Sequence, residues 1–184
     1  MKTYLAISIL ISALGLAQCA NAHDAELSSK FESLEAAIVA VETRIYENNK
    51  SYSKCENIEG VATTLCGRKV SEKALEISAE RQNLSYKLVS FLNEYGAEMG
   101  LASNRIASMI EIETATVELE KHNDEAHRMY LSGCTVQGED SKRCKEARSG
   151  KSADVYMNDY WDRRDALQLA LADIFEKDKA LQSE

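Results

Sequence analysis

The chain has no proline and only 8 glycines in 184 residues, so the two residues that most readily end a helix are nearly missing. That scarcity excludes a turn-rich β-sandwich or barrel and leaves long, uninterrupted helices as the natural reading. Basic residues are in deficit, 22 Lys and Arg against 30 Asp and Glu, which argues against a nucleic-acid partner. After the first turn of sequence no apolar run approaches the roughly 20 residues that a membrane span requires. Catalytic signatures are missing too. There is no glycine-rich phosphate loop, no G-x-S-x-G elbow and no H-E-x-x-H, and the carboxylates read as solvated helix faces rather than acid-base pairs, so no enzyme activity is expected.

Cysteine spacing excludes more. No C-x-x-C pair occurs, which removes the thioredoxin-type redox motif and the usual zinc knuckles, and no C-x-x-C-H occurs to attach haem. His122 and His127 are five residues apart and share no helix face, and His23 stands alone, so neither a metal nor a cofactor is expected.

What is present begins with a leader. Lys2, the apolar run from Leu5 to Leu16 and the ending Ala20-Asn21-Ala22 predict a secretory signal peptide over 1–22, a mature start at His23 and a periplasmic or secreted location. Leu16-Ala17-Gln18-Cys19 is similar to a lipoprotein processing site, but Gln18 stands where that pattern has a small residue, so lipidation at Cys19 is the lesser reading. Setting Cys19 aside leaves Cys55, Cys66, Cys134 and Cys144, an even number that suits disulfides in an oxidising compartment. Of three connectivities, Cys55 with Cys66 and Cys134 with Cys144 is favoured, because each pair encloses a short segment containing glycine (Gly60, Gly138).

The strongest signal is heptad spacing. Leu27, Phe31, Leu34, Ile38, Val41 and Ile45 alternate in steps of four and three, and Val70, Ala74, Ile77, Arg81, Leu84, Leu88, Phe91 and Tyr95 do the same before Gly96, a candidate C-terminal cap. A third arm runs Met109, Ile112, Thr116, Leu119, Asn123, Ala126, Tyr130. A fourth runs Ala153, Met157, Tyr160, Arg164, Leu167, Leu171, Ile174 and lies 83 residues beyond the second, with Arg164 where Arg81 falls. The expectation is an all-α chain: one domain over 23–184, an antiparallel four-helix bundle of two disulfide-stapled hairpins, 23–96 and 97–184, whose imperfect echo reads either as a diverged duplication or as a chance alignment of two similar heptad patterns.

Two sets of residues break the pattern. Arg81 and Arg164 sit on core positions and need carboxylates; counting back across each turn pairs Arg81 with Glu42 and Arg164 with Glu113, either as a polar layer that fixes register or as an anion site between helices. Both cysteine turns fall at one end of the bundle with Tyr46, Tyr52, Tyr130, Tyr156, Tyr160 and Trp161. Those rings either close the core or, with Glu139 and Asp140 of the second turn, offer a partner-binding surface at Tyr52, Tyr130, Glu139, Asp140, Tyr160 and Trp161.

Cys55 and Cys66, followed by Ala79-Glu80-Arg81-Gln82-Asn83-Leu84-Ser85-Tyr86-Lys87-Leu88, and later Tyr160-Trp161-Asp162-Arg163-Arg164-Asp165, together make a partial resemblance. The stretch resembles the small secreted domain of LprI-type lysozyme inhibitors. The resemblance implies an envelope interaction protein that captures a basic cell-wall-degrading enzyme, and the excess acid of this chain suits a cationic protein partner. The other class open to an exported bundle is a periplasmic chaperone or stress-type protein holding unfolded or apolar clients on a helix face.

Overall fold

The computed structural model describes residues 22–55, 61–135, 142, 159–171 and 173–174. The expected leader apart from Ala22, Cys19, the turn bearing Gly138, Glu139 and Asp140, and Cys144 lie outside the described residues; so does the side chain of Cys134, and with it the second cysteine pairing. The described residues form three long helices, α1 (Ala22–Cys55), α2 (Val61–Tyr95) and α3 (Ser103–Tyr130), then a π-helical turn (Leu131–Thr135) and a further helix, α4, over 159–171. No strand occurs among them, and no described helix is long and apolar enough to cross a membrane.

With no proline to interrupt them, α1 and α2 run 34 and 35 residues, about 50 Å each at a rise of 1.5 Å per residue. They pack antiparallel. Phe31 stacks on Phe91 at one end, Arg44 meets Glu80 midway, Asn48 Nδ2 donates to the Val70 carbonyl, and the Cys55–Cys66 disulfide closes the other end with Cα atoms 5.5 Å apart. The heptad positions Leu27, Phe31, Ile38, Val41, Val70, Ile77, Leu88 and Phe91 are buried between the helices. Each fully buried Leu or Phe contributes roughly 1.5–3 kcal/mol, so this seam holds the hairpin together.

A second stripe on α2 faces α3: Ser71, Ser78, Ser85 and Leu92, spaced by sevens and all buried. Three serines in that stripe let α3 approach closely, and Ser78 Oγ donates to the Glu120 carbonyl across the gap. Gly67, further along the same helix, leaves room for Tyr130: a Cβ there would lie 2.5 Å from the Tyr130 hydroxyl oxygen.

The turn between α2 and α3 differs from the sequence expectation. Gly96 is not the capping residue. The Leu101 N–H bonds the Gly96 carbonyl and the Gly100 N–H bonds that of Ala97, a Schellman pattern with Gly100 in the left-handed position at φ 74°. Gly96 serves packing instead, since a Cβ on it would meet Ile106 Cδ1 at 2.8 Å. Beside this turn Leu27, Phe31, Ile38, Leu88, Phe91, Leu92, Met109, Ile112 and Leu171 form one apolar cluster, which ties α4 to the other three helices.

Glu35 of α1 lies near Arg105 of α3 at the same end. Burial raises its carboxyl from 4.5 to about 7, Arg105 opposing that rise and Glu32 adding to it, and Oε1 accepts no hydrogen bond. Because the folded protein holds this proton more tightly than the unfolded chain does, its stabilisation is complete below 4.5 and is lost as pH climbs through about 7. Thermal melts should therefore show wild-type stability declining from about pH 5 to about pH 8, with Glu35→Gln flatter over that range and more stable at the alkaline end by up to about 3 kcal/mol. An equally steep decline in the variant would assign the titration to another group.

Candidate functional site

Five charged side chains meet in the middle of the bundle, none more than 7 % exposed: Glu42 from α1, Arg81 from α2, Glu113 and Glu120 from α3, and Arg164 from α4. Arg81 reaches two helices at once. Its Nε donates to Glu42 Oε1 at 2.6 Å, while Nη1 and Nη2 grip Glu113 as a fork, at 2.7 Å to Oε2 and 3.0 Å to Oε1. Ser85, one turn beyond Arg81, accepts from Nη1 and donates to Glu113 Oε2 at 2.7 Å, completing that carboxylate's shell.

Arg164 mirrors this from the other side. Nη2 donates to Glu42 Oε2, and Nη1 to Glu120 Oε1 and to the Tyr160 hydroxyl, which itself donates to Glu120 Oε1 at 3.0 Å. Gln168 Nε2 adds a bond to Glu42 Oε1 at 3.1 Å. Glu42 is thus the bridge between the two arginines. Burial alone would push its carboxyl upward, but Arg164 and Arg81 outweigh that and hold it below the usual carboxylate range. The same attraction, from Glu113 on Arg81 and from Glu42 on Arg164, overcomes the burial that would otherwise lower the two guanidinium groups and raises both.

Two expectations change here. Arg164 pairs with Glu120, not Glu113, because the Arg81 fork and Ser85 already occupy both oxygens of Glu113. Tyr160 is not a free contact residue: it is 2 % exposed and its hydroxyl is committed to the layer. Sequence reasoning missed Glu120, Ser85 and Gln168. A usable signal existed for the first two: Glu113 and Glu120 are seven apart on α3, and Ser78 and Ser85 repeat the same spacing on α2.

Toward the disulfide, Trp161 is half-buried and held between two tyrosines, with Tyr46 at 5.4 Å between ring centroids and Tyr160 edge-on at 5.1 Å. Tyr46 in turn donates to Asp165 Oδ1 at 2.8 Å, and burial together with that bond raises its phenol. Tyr52 and Tyr130 are half-buried at the same end. On the other flank of α4, Leu119, His122, Asp159, Tyr160 and Arg163 line a shallow groove of about 200 Å³. Among the described residues no group of three or more His, Cys, Asp or Glu could hold a metal ion.

No protein-family model, curated protein or solved structure matches the chain.

Because Arg81 serves two carboxylates, its removal should be harsher than the loss of one ion pair. Arg81→Leu leaves Glu113 buried without its cation, and we expect a loss of about 3–5 kcal/mol in chemical denaturation. The double variant Arg81→Leu/Glu113→Leu should recover most of that loss, since it removes the orphaned charge along with the fork. Additive losses in the double variant would mean the two groups do not interact.

Proposed function

We propose that this chain is an exported interaction protein of the bacterial envelope that captures a cationic protein partner, most concretely a basic cell-wall-degrading enzyme such as lysozyme, and inhibits it. In this reading the protein is an antiparallel four-helix bundle of two stapled hairpins, and the disulfide end is the contact surface. The observation that carries it is the mounting of Trp161. The ring is partly open to solvent, yet it is braced by Tyr46 and Tyr160, and both hydroxyls are fixed, to Asp165 and to the Glu120 carboxyl of the buried layer.

An aromatic side chain held this way loses little freedom on binding, and Trp and Tyr dominate the energetics of interfaces. A formal net charge of -8 supports the choice of a cationic partner, because opposite net charge speeds encounter. The Cys55–Cys66 bond fits an oxidising compartment. Glu139 and Asp140 would supply an acidic rim.

Oxidised protein lacking 1–22 should inhibit at least one lysozyme class in a turbidity assay. Trp161→Ala should weaken that inhibition about thirtyfold, the loss of a hot-spot contact of about 2 kcal/mol, while circular dichroism shows the helix content unchanged. Raising the salt should slow association. Wild type inactive against every lysozyme class ends the inhibitor reading, and Trp161→Ala inhibiting at full strength moves the contact away from this end.

A further inference from the structure

Another ring at the disulfide end has a seat of its own. Tyr130 is the last residue of α3, and its hydroxyl lies against Gly67 of α2, where a Cβ would come within 2.5 Å of the hydroxyl oxygen, 3.4 Å of Cζ and 3.8 Å of Cε1. Gly67 stands inside a long helix. A glycine there is destabilising relative to alanine, because it has more backbone freedom to lose on folding. The described glycine with a left-handed backbone is Gly100, so conformation does not require glycine at position 67; what Gly67 provides is the space that the phenol fills.

Both sides of this contact are fixed. Gly67 is buried and directly follows Cys66, whose bond to Cys55 ties that point of α2 to the end of α1. On the other side, α3 changes its winding immediately after Tyr130. Leu131–Thr135 is a π-helical turn that packs on α2 as well as on α3, and the Leu131 N–H is shared between the His127 and Arg128 carbonyls. Single π-turns are rare and occur frequently at functional sites. The ring they flank is half-buried, so it is braced and still reaches solvent.

We propose that Tyr130 is a second aromatic anchor, which takes a Lys or Arg side chain of the cationic protein partner, and that Gly67 is the positioning residue that sets it. This rests on the inhibitor reading and adds to it a point of contact on a different helix from Trp161. The face of a tyrosine ring attracts an ammonium or guanidinium group, which gives the ring a specific use against a basic surface. A ring already seated on a neighbouring helix loses little freedom when it is engaged.

The test is an exchange of size between the two positions. Gly67→Ala puts a methyl group where the hydroxyl oxygen lies and should weaken inhibition of the captured lysozyme about tenfold, with Tyr130→Ala at least as harmful. Tyr130→Phe removes the one ring substituent closer than 3.4 Å, so Gly67→Ala/Tyr130→Phe should seat the ring again and inhibit within about twofold of Tyr130→Phe alone. General damage to α2 would instead be carried into the double variant. With no partner added, protein labelled with meta-fluorotyrosine should show the Tyr130 fluorine resonance, identified by its loss in Tyr130→Phe, moving toward the free amino acid position in Gly67→Ala. A resonance that does not move, or a double variant as weak as Gly67→Ala, overturns the role of Gly67. Tyr130→Ala inhibiting as well as wild type overturns the anchor and leaves the inhibitor reading intact, whereas wild type inactive against every lysozyme class ends both.

Discussion

Everything in this bundle is arranged around a polar crossing that an apolar core would not need. Four helices contribute to it, and every one of the five charges touches a charge from a different helix. A leucine seam tolerates sliding by a heptad, because one apolar layer resembles the next. A guanidinium fork on a carboxylate tolerates almost none, since a shift of one turn breaks two directed bonds and strands a buried ion. The layer therefore selects one register out of several that the heptads alone would allow, and the apolar cluster near the α2–α3 turn supplies the stability that the layer does not.

The aromatic end inherits its order from the same source. Tyr160 hangs from Glu120, its ring also lies 5.8 Å from the Arg164 guanidinium carbon, and Tyr46 is anchored through Asp165, the residue after Arg164. Trp161 is thus positioned by bonds that begin in the core, so the two features set apart in the sequence, misplaced arginines and a clustered set of rings, are one device.

The heptads of α1 and α2 were legible because each helix has one strong apolar stripe, and Arg81 and Arg164 stood out as the residues that violate it. Glu42 as a partner followed from counting across a hairpin whose turn is short. Glu120 was hidden for a physical reason: α3 packs against both α2 and α4, so its buried face is wide enough to include Leu119 and Glu120 together, and a Glu beside a core position reads as solvent-facing. The serine stripe was hidden likewise, because a small polar residue that permits close approach looks the same in sequence as one that faces water. Gly96 was misread as the cap since it ends the apolar stripe, whereas the chain keeps turning to Gly100, where a left-handed backbone is required.

Glu42 and Arg164 are 122 residues apart in sequence, far more than the 32 and 39 that separate Arg81 from its two carboxylates. The layer is closed by its most distant member. Without Arg164 the centre formed by α1, α2 and α3 would hold three buried carboxylates against a single guanidinium. The first three helices therefore cannot compensate their own core, and the last helix is an obligatory part of it rather than an appendage.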